Sequence, residues 1–307
     1  MKVAANGLQI EVEDSATADP SHRQRPVVLL IMGLGMQLIS WPDYFVQPLL
    51  YAGYRVIRFD NRDSGLSTAL DHLGKPNMAW TMMKYQMGMA LHPPYSLSDM
   101  AQDSLGVLDG LGIANAHVVG VSMGGMIAQH LAIEAPQRVS SLTSIMSSSG
   151  AKGLPGPQPQ ALRIMMSRPR DKSEESITQY GLQLLTAISS PAYPTPEAEL
   201  RQQIVQAYRR SQQPHGTLRQ TVAVMADSAR AALLGRIQCP TLVVHGHADP
   251  LVPFVCGEDT ARRIPHAVLV GIEGMGHDLP PEPVRQIHEA LIPRLYMAQK
   301  HIAGDTP

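Results

Sequence analysis

The chain of 307 residues has 44% hydrophobic and 17% charged residues, which is enough apolar side chain for a sizeable core and excludes a disordered chain. Its 25 lysines and arginines against 26 aspartates and glutamates leave a net charge of −1. That balance argues against nucleic acid or an anionic membrane surface as partner, since either calls for a basic face.

In chain order, Val3, the dipeptide Asn6-Gly7, and Leu8, Ile10 and Val12 alternating with polar residues predict a hairpin around a tight turn. Polar residues from Asp14 to Arg25 predict a loop. Short apolar runs then alternate with helix-like stretches; the runs are Val27–Met32, Val56–Phe59, His117–Val121, Leu142–Met146, Thr241–His245 and Val268–Ile272. Continuous runs of this kind suit strands buried on both faces of a parallel sheet. After Ser96, with Ser96 or Ser98 as N-cap, Leu97, Met100, Ala101, Leu105, Leu108 and Leu111 share one helix face. The alternation predicts an α/β chain with right-handed crossovers and a doubly wound, mostly parallel sheet. No run reaches the roughly 18 apolar residues of a membrane span. The first residues lack the apolar stretch of a signal peptide, so a cytoplasmic location is expected.

Two stretches break the pattern. Between Ser67 and Ser96 a long loop is expected, with Met78, Met82, Met83, Met87 and Met89 around Trp80 and Tyr85. Methionine fills irregular apolar space, so this segment suits a pocket wall, ordinary core or a subunit contact, and homo-oligomerisation stays open. Residues 148–232 contain no convincing strand. Pro-rich loops there separate three predicted helices, carrying Ile177, Tyr180, Leu184 and Ile188, then Leu200, Ile204 and Tyr208, then Leu218, Val222, Met225 and Ala229. An insertion at this point lies near the carboxyl ends of the strands, where open α/β sheets bind ligands. We read 148–232 as a helical cap on a core formed by 1–147 and 233–307; the alternative is a set of helices packed on one sheet face.

The chemistry-bearing residues begin with Gly120-Val121-Ser122-Met123-Gly124, where a predicted strand passes into a predicted helix. A G-x-S-x-G run is weak alone and strong at that boundary, because only glycines tolerate the crowding of a turn tight enough to expose the serine. Ser122 is therefore the candidate nucleophile and needs a base. Of the 12 histidines, His277 lies in a glycine-flanked loop just past the run Val268–Ile272, at a strand's carboxyl end. His266 precedes the same run, His288 falls within a helix, and His301 belongs to the C-terminal tail. Asp249, directly after Thr241–His245, is the candidate acid that orients His277. An acid after the preceding strand is closed off, since Leu142 to Arg170 contains no Asp or Glu. The amides of Met123 and of Leu34, beside Gly33 in the turn after Val27–Met32, are the candidate oxyanion donors. His245 and His247 supply only two ligands, so no metal is expected. Cys239 and Cys256 form neither a disulfide framework nor a four-cysteine zinc site, and Cys256 reads as a buried thiol.

Together these elements resemble the α/β-hydrolase superfamily over nearly the whole chain. Asp60-Asn61-Arg62-Asp63-Ser64-Gly65-Leu66-Ser67 resembles its D-x-R-x-x-G-x-S loop, in which the counterparts of Arg62 and Asp63 are structural. This loop, Met32-Gly33 in place of His-Gly, Trp41-Pro42-Asp43 and Gly274-Met275-Gly276-His277 are most similar to aclacinomycin methylesterases and related bacterial esterases. The resemblance implies an α/β-hydrolase fold and a serine carboxylesterase that works through an acyl-serine, without cofactor, on a small-molecule ester; the composition of the cap and the Met-rich loop suggests an apolar acyl or alcohol moiety. Ser122 at the elbow excludes the carboxylate-nucleophile dehalogenases and epoxide hydrolases of this fold. Thioesterase, perhydrolase and C–C hydrolase chemistry share the same triad, and a catalytically silent binding protein of this fold is the non-enzymatic alternative.

Overall fold

Asn6 and Gly7 both take positive φ, 49° and 77°, a turn whose twist matches a right-twisted strand pair. Across it β1 (Lys2–Ala5) folds antiparallel onto β2 (Leu8–Asp14). The structure, a computed structural model, describes residues 1–303, with side chains to residue 300. The segment expected as a loop after Asp14 is instead a short helix, α1 (Ser15–Ala18), followed by a 3-10 turn over Pro20–Gln24. Polar side chains are the reason: Asp14 and Asp19 accept the Ala16 and Ser21 amides as N-caps.

The next strands are β3 (Val27–Ile31), β4 (Arg55–Phe59), β5 (Ala116–Val121), β6 (Val139–Ile145), β7 (Thr241–Gly246) and β8 (Val268–Ile272). They make one eight-stranded sheet in the order β1-β2-β4-β3-β5-β6-β7-β8, parallel from β4 to β8. Every residue of β3, β5, β6 and β7 is buried, as strands covered on both faces require. β8 differs: it is the sheet edge, and Val268 is 40% exposed despite its place in an apolar run. Alternate residues of β3 serve the two faces. Val27, Leu29 and Ile31 join one apolar cluster, while Val28 and Leu30 join the other.

Helices α2 (Asp43–Tyr51) and α11 (Pro281–Ala303) cover one face. On the other lie α4 (Leu97–Gly110) and α5 (Met123–Glu134), and α10 (Phe254–Arg263) packs beside β7 and β8. Ser96 starts α4 through a reciprocal capping box with Asp99. The stretch expected as a long loop after Ser67 contains α3 (Met78–Gln86), capped by Asn77. No residue of α3 is buried, and Trp80, Tyr85 and Met87 are more than half exposed, so the Met-rich segment is not ordinary core. His301 falls in the last turn of α11, and its side chain lies outside the described residues.

Four helices, not three, occupy the stretch between β6 and β7: α6 (Pro159–Met166), α7 (Glu174–Ile188), α8 (Glu197–Arg210) and α9 (Pro214–Ala226). The additional one, α6, begins at a proline that pre-sets the first helical φ. Ala229, expected in the third helix, lies in a separate 3-10 turn beyond Asp227. The two crossings between sheet and insertion are tied together by Arg230. Its Nε donates to Asp227 at 2.7 Å and its Nη1 to the Ser148 carbonyl at 3.0 Å and to Gln129 of α5. His130 of α5 lies 2.9 Å from Asp227 on the other side. Among the described residues no helix is long and apolar enough to cross a membrane.

One core histidine makes stability depend on pH. His117 of β5 is 2% exposed, lies 2.8 Å from Ser141 Oγ and meets the Tyr54 ring edge-on. Burial pushes its imidazole down from 6.5 to about 4. Between those values the unfolded chain holds the extra proton, so stability falls as pH drops through the window, by up to about 3 kcal/mol. Urea unfolding of His117→Gln across that range should show about one proton less of pH dependence than the parent; an identical slope would show that His117 is not the titrating group.

Candidate active site

The serine stands where three backbones crowd. β5 delivers the chain to Ser122 and α5 begins at Met123, so the turn has no spare residue. A Cβ on Gly120 would overlap the Gly124 carbonyl, and one on Gly124 would overlap the Ile31 carbonyl of β3. Ser122 itself takes φ 54° and ψ −122°, a conformation that costs a non-glycine residue about 1–3 kcal/mol. Its backbone repays this with hydrogen bonds: the N–H donates to Ile145 at 2.9 Å, and the carbonyl accepts from Gly125 and Met126 and from Ser147 Oγ.

His277 Nε2 lies 3.0 Å from Ser122 Oγ, and its Nδ1 lies 2.7 Å from Asp249 Oδ2. The His277 loop is pinned by the end of α7. The His277 N–H donates to the Ile188 carbonyl at 2.7 Å, and Ser190 Oγ accepts the Gly276 N–H at 2.8 Å while donating to Asp278. Asp278 therefore serves the loop and not the imidazole.

The Asp249 carboxylate has no exposed side-chain surface. Its Oδ1 accepts the Leu251 and Val252 amides, each at 2.8 Å. Burial works to raise its pKa, but the His277 charge, the nearby His245 and His277 rings and the Val252 amide outweigh it and hold the carboxyl well below the usual range. His245 is fully buried at 3.5 Å from Asp249 Oδ2 and donates Nε2–H to the Val252 carbonyl at 2.7 Å, whereas His247 stacks on Phe254. Among the described residues no cluster of three or more His, Cys, Asp or Glu side chains is placed to hold a metal ion. Burial pushes the Cys256 thiol up to about 11.

Gly33 packs against the serine: a Cβ on it would sit 3.3 Å from Ser122 Cβ. In the following turn Met36 donates to the Gly33 carbonyl at 3.2 Å and Gly35 donates to Gln220 at 2.8 Å. The Leu34 amide between them has no protein acceptor among the described residues. Met123, at the first position of α5, has no intrahelical acceptor either. Two free amides thus belong to the segments that flank the Ser122 hydroxyl, a donor set of the kind that stabilises a developing oxyanion.

Arg62 and Asp63 lie beneath this assembly. Arg62 grips Asp103 of α4 with two bonds of 2.5 and 2.6 Å. Asp63 accepts two from Arg219 of α9, at 2.8 and 2.7 Å, and one from Tyr95 at 2.8 Å. Two residues given no role from sequence join them. Asp60 accepts the Leu38 amide and Arg210 of α8, each at 2.7 Å. Gln220 links Gly35 to the Arg62 carbonyl. Gln220 stands on α9, whose apolar stripe of Leu218, Val222 and Met225 marks the helix but not the polar residues beside the stripe. The helix buries Val222 of that stripe together with Gly216, Arg219, Gln220 and Ala223, so its inner face is part apolar and part polar, and Arg219 and Gln220 meet the loop of Arg62 and Asp63.

Chemically, the arrangement is a hydroxyl in line with an imidazole, which in turn contacts a buried carboxylate. Such a relay can take the serine proton as the oxygen attacks an acyl carbon and return it to the leaving group.

A model of the alpha/beta hydrolase fold family matches residues 26–283. The chain is similar to rhodomycin D methylesterase from Streptomyces peucetius, 31% identical over 282 residues that cover 86% of this chain and 87% of the relative. It is also similar to 2-hydroxy-6-oxononadienedioate/2-hydroxy-6-oxononatrienedioate hydrolase from Cupriavidus pinatubonensis, 26% identical over 81% of this chain and 80% of the relative. Among solved structures it resembles a thermophilic esterase from Thermogutta terrifontis, with a TM-score of 0.66 and 21% identity, covering 97% of this chain and 98% of the other.

The crowding at the elbow has a measurable consequence. Gly120→Ala places a methyl against the Gly124 carbonyl, which should destabilise the fold by about 1–3 kcal/mol or more in urea unfolding. A neutral substitution would show that the turn has room to spare.

Proposed function

Since the chain belongs to the α/β hydrolase fold family, we propose that it hydrolyses carboxylic esters through an acyl-serine, with Ser122 as nucleophile, His277 as general base and Asp249 as the carboxylate that orients it. The observation that carries this reading is the unbroken relay, 3.0 Å from Ser122 Oγ to His277 Nε2 and 2.7 Å from Nδ1 to Asp249. Asp249 accepts the Nδ1–H, so Nε2 is the bare nitrogen and faces the hydroxyl. As Ser122 Oγ attacks the ester carbonyl, its proton passes to Nε2 and the amides of Leu34 and Met123 take the oxyanion. The imidazolium, held by the Asp249 charge, then protonates the departing alcohol. Water attacks the acyl carbon as His277 takes its proton, and the imidazolium returns that proton to Ser122 Oγ as the C–Oγ bond breaks and the acid leaves. These steps need only the named side chains, two backbone amides and water.

The ester reading is favoured over others on the same relay by the 31% identity to a methylesterase. That relative points to a small alcohol on a larger acid. An apolar acid fits the insertion, read as a cap, and the methionines of α3 and α6, among them the exposed Met83 and Met166. Carbon–carbon hydrolysis is the second reading, favoured by the 26% relative named for that class of diacid substrate.

Ser122→Ala should lower kcat on p-nitrophenyl acetate by about 10³-fold or more with an unchanged far-UV circular dichroism spectrum. Near-parental turnover by that variant would end the proposal. Asp249→Asn should cost about 10⁴-fold in kcat, because an amide in that place presents the wrong partner to Nδ1. A panel of methyl esters of graded acid bulk, run beside a vinylogous 1,5-diketone, separates the two readings: turnover of the diketone with no ester cleavage would favour the second.

A further inference from the structure

The serine, the base and the Leu34 amide all come from the sheet core, but the turn that carries Leu34 is not held by the core alone. Gln220 lies on α9, in the insertion, and is fully buried. Its Oε1 accepts the Gly35 N–H at 2.8 Å and its Nε2 donates to the Arg62 carbonyl at 2.8 Å, so one side-chain amide spans two core loops. Thr217, one turn earlier on α9, stands 3.0 Å from where a Cβ on Gly35 would be. Gly35 takes φ 68°, a region open to glycine, and the Gln220 bond restrains the Leu34–Gly35 peptide in addition to the Met36–Gly33 bond that closes the turn. The adjacent amides otherwise compete: with its acceptor removed, the Gly35 N–H is free to turn toward the same oxygen that Leu34 is placed to receive.

We propose that Gln220 is a positioning residue for the oxyanion site: by engaging the Gly35 amide it commits the neighbouring Leu34 amide to the carbonyl oxygen held over Ser122. The inference rests on the ester-hydrolase reading and deepens it. The insertion then contributes to the rate as well as covering the substrate, because the oxyanion turn is complete only while α9 is docked on the loops that follow β3 and β4. A preorganised donor acts only if it is already aimed when charge develops.

The test uses the full chain, with active sites counted by fluorophosphonate labelling so that misfolded protein does not enter the rate. Gln220→Met keeps the length of the side chain and deletes both bonds. On p-nitrophenyl acetate its kcat should fall about tenfold to a hundredfold, part of the 10²- to 10³-fold loss of a whole oxyanion donor, with KM within about twofold. The inhibition constant of a trifluoromethyl ketone, which forms a tetrahedral oxyanion on serine, should rise by the same factor. If Gln220→Met does not fold, Gln220→Asn, which withdraws the amide by one methylene, takes its place with the same expected values. A kcat within twofold of the parent, or a loss of kcat that leaves the ketone's inhibition constant unmoved, overturns the proposal. A parent enzyme that neither cleaves esters nor binds the ketone overturns the ester reading itself, which is a separate outcome.

Discussion

A serine at φ 54° exists here because the chains around it lack side chains at two points. Gly120 and Gly124 let β5, α5 and β3 close to backbone contact, and that closure forces the turn between strand and helix. The nearby features of the site follow from it. The hydroxyl is lifted above the sheet, the first amide of α5 is left without a helical partner, and Gly33 can lie against the serine from the neighbouring strand. Exchanging either glycine for a larger residue would disturb the arrangement well before it touched the imidazole or the carboxylate.

The sheet and the convergence of Ser122, His277 and Asp249 at one rim were legible in the sequence, because both depend on local patterns. Fully buried parallel strands read as continuous apolar runs, and residues just past the ends of such runs share an edge of the sheet. Where legibility failed, the physics was polar or long-range. The stretch after Asp14 folds into a helical turn because two aspartates cap it, a side-chain effect hidden by its hydrophilic composition. α3 was read as a loop because it has no apolar stripe facing a core; Asn77 starts it, and all of its residues stay at least partly exposed. α9 buries Val222 of its apolar stripe, and with it Arg219 and Gln220. Hydrophobic periodicity does not mark a polar side chain buried by a polar partner, and Arg219 and Gln220 meet the loop bearing Arg62 and Asp63.

Charges and amides, beside apolar side chains such as Val222 and Ala223, dock the insertion on the core. Arg210 meets Asp60, Arg219 meets Asp63, and Gln220 bridges Gly35 and the Arg62 carbonyl, all with little exposure. Buried pairs of this type add little net stability over an apolar contact, yet removing one partner is costly and wrong registers are penalised. Such an interface suits a helix that has to stop in one place beside the Gly33–Met36 turn.

Arg230 bears on how relatives of this fold can be recombined. It joins Ser148, where the insertion leaves the sheet, to Asp227, where it returns, and to Gln129 of α5, while His130 of α5 meets Asp227. The inserted helices thus form a loop closed at its base, and a chimaera that exchanged them between two parents would leave an unneutralised guanidinium if its seams fell between Ser148 and Arg230. Grafts cut outside that knot, with the α5 pair carried along, preserve the clasp.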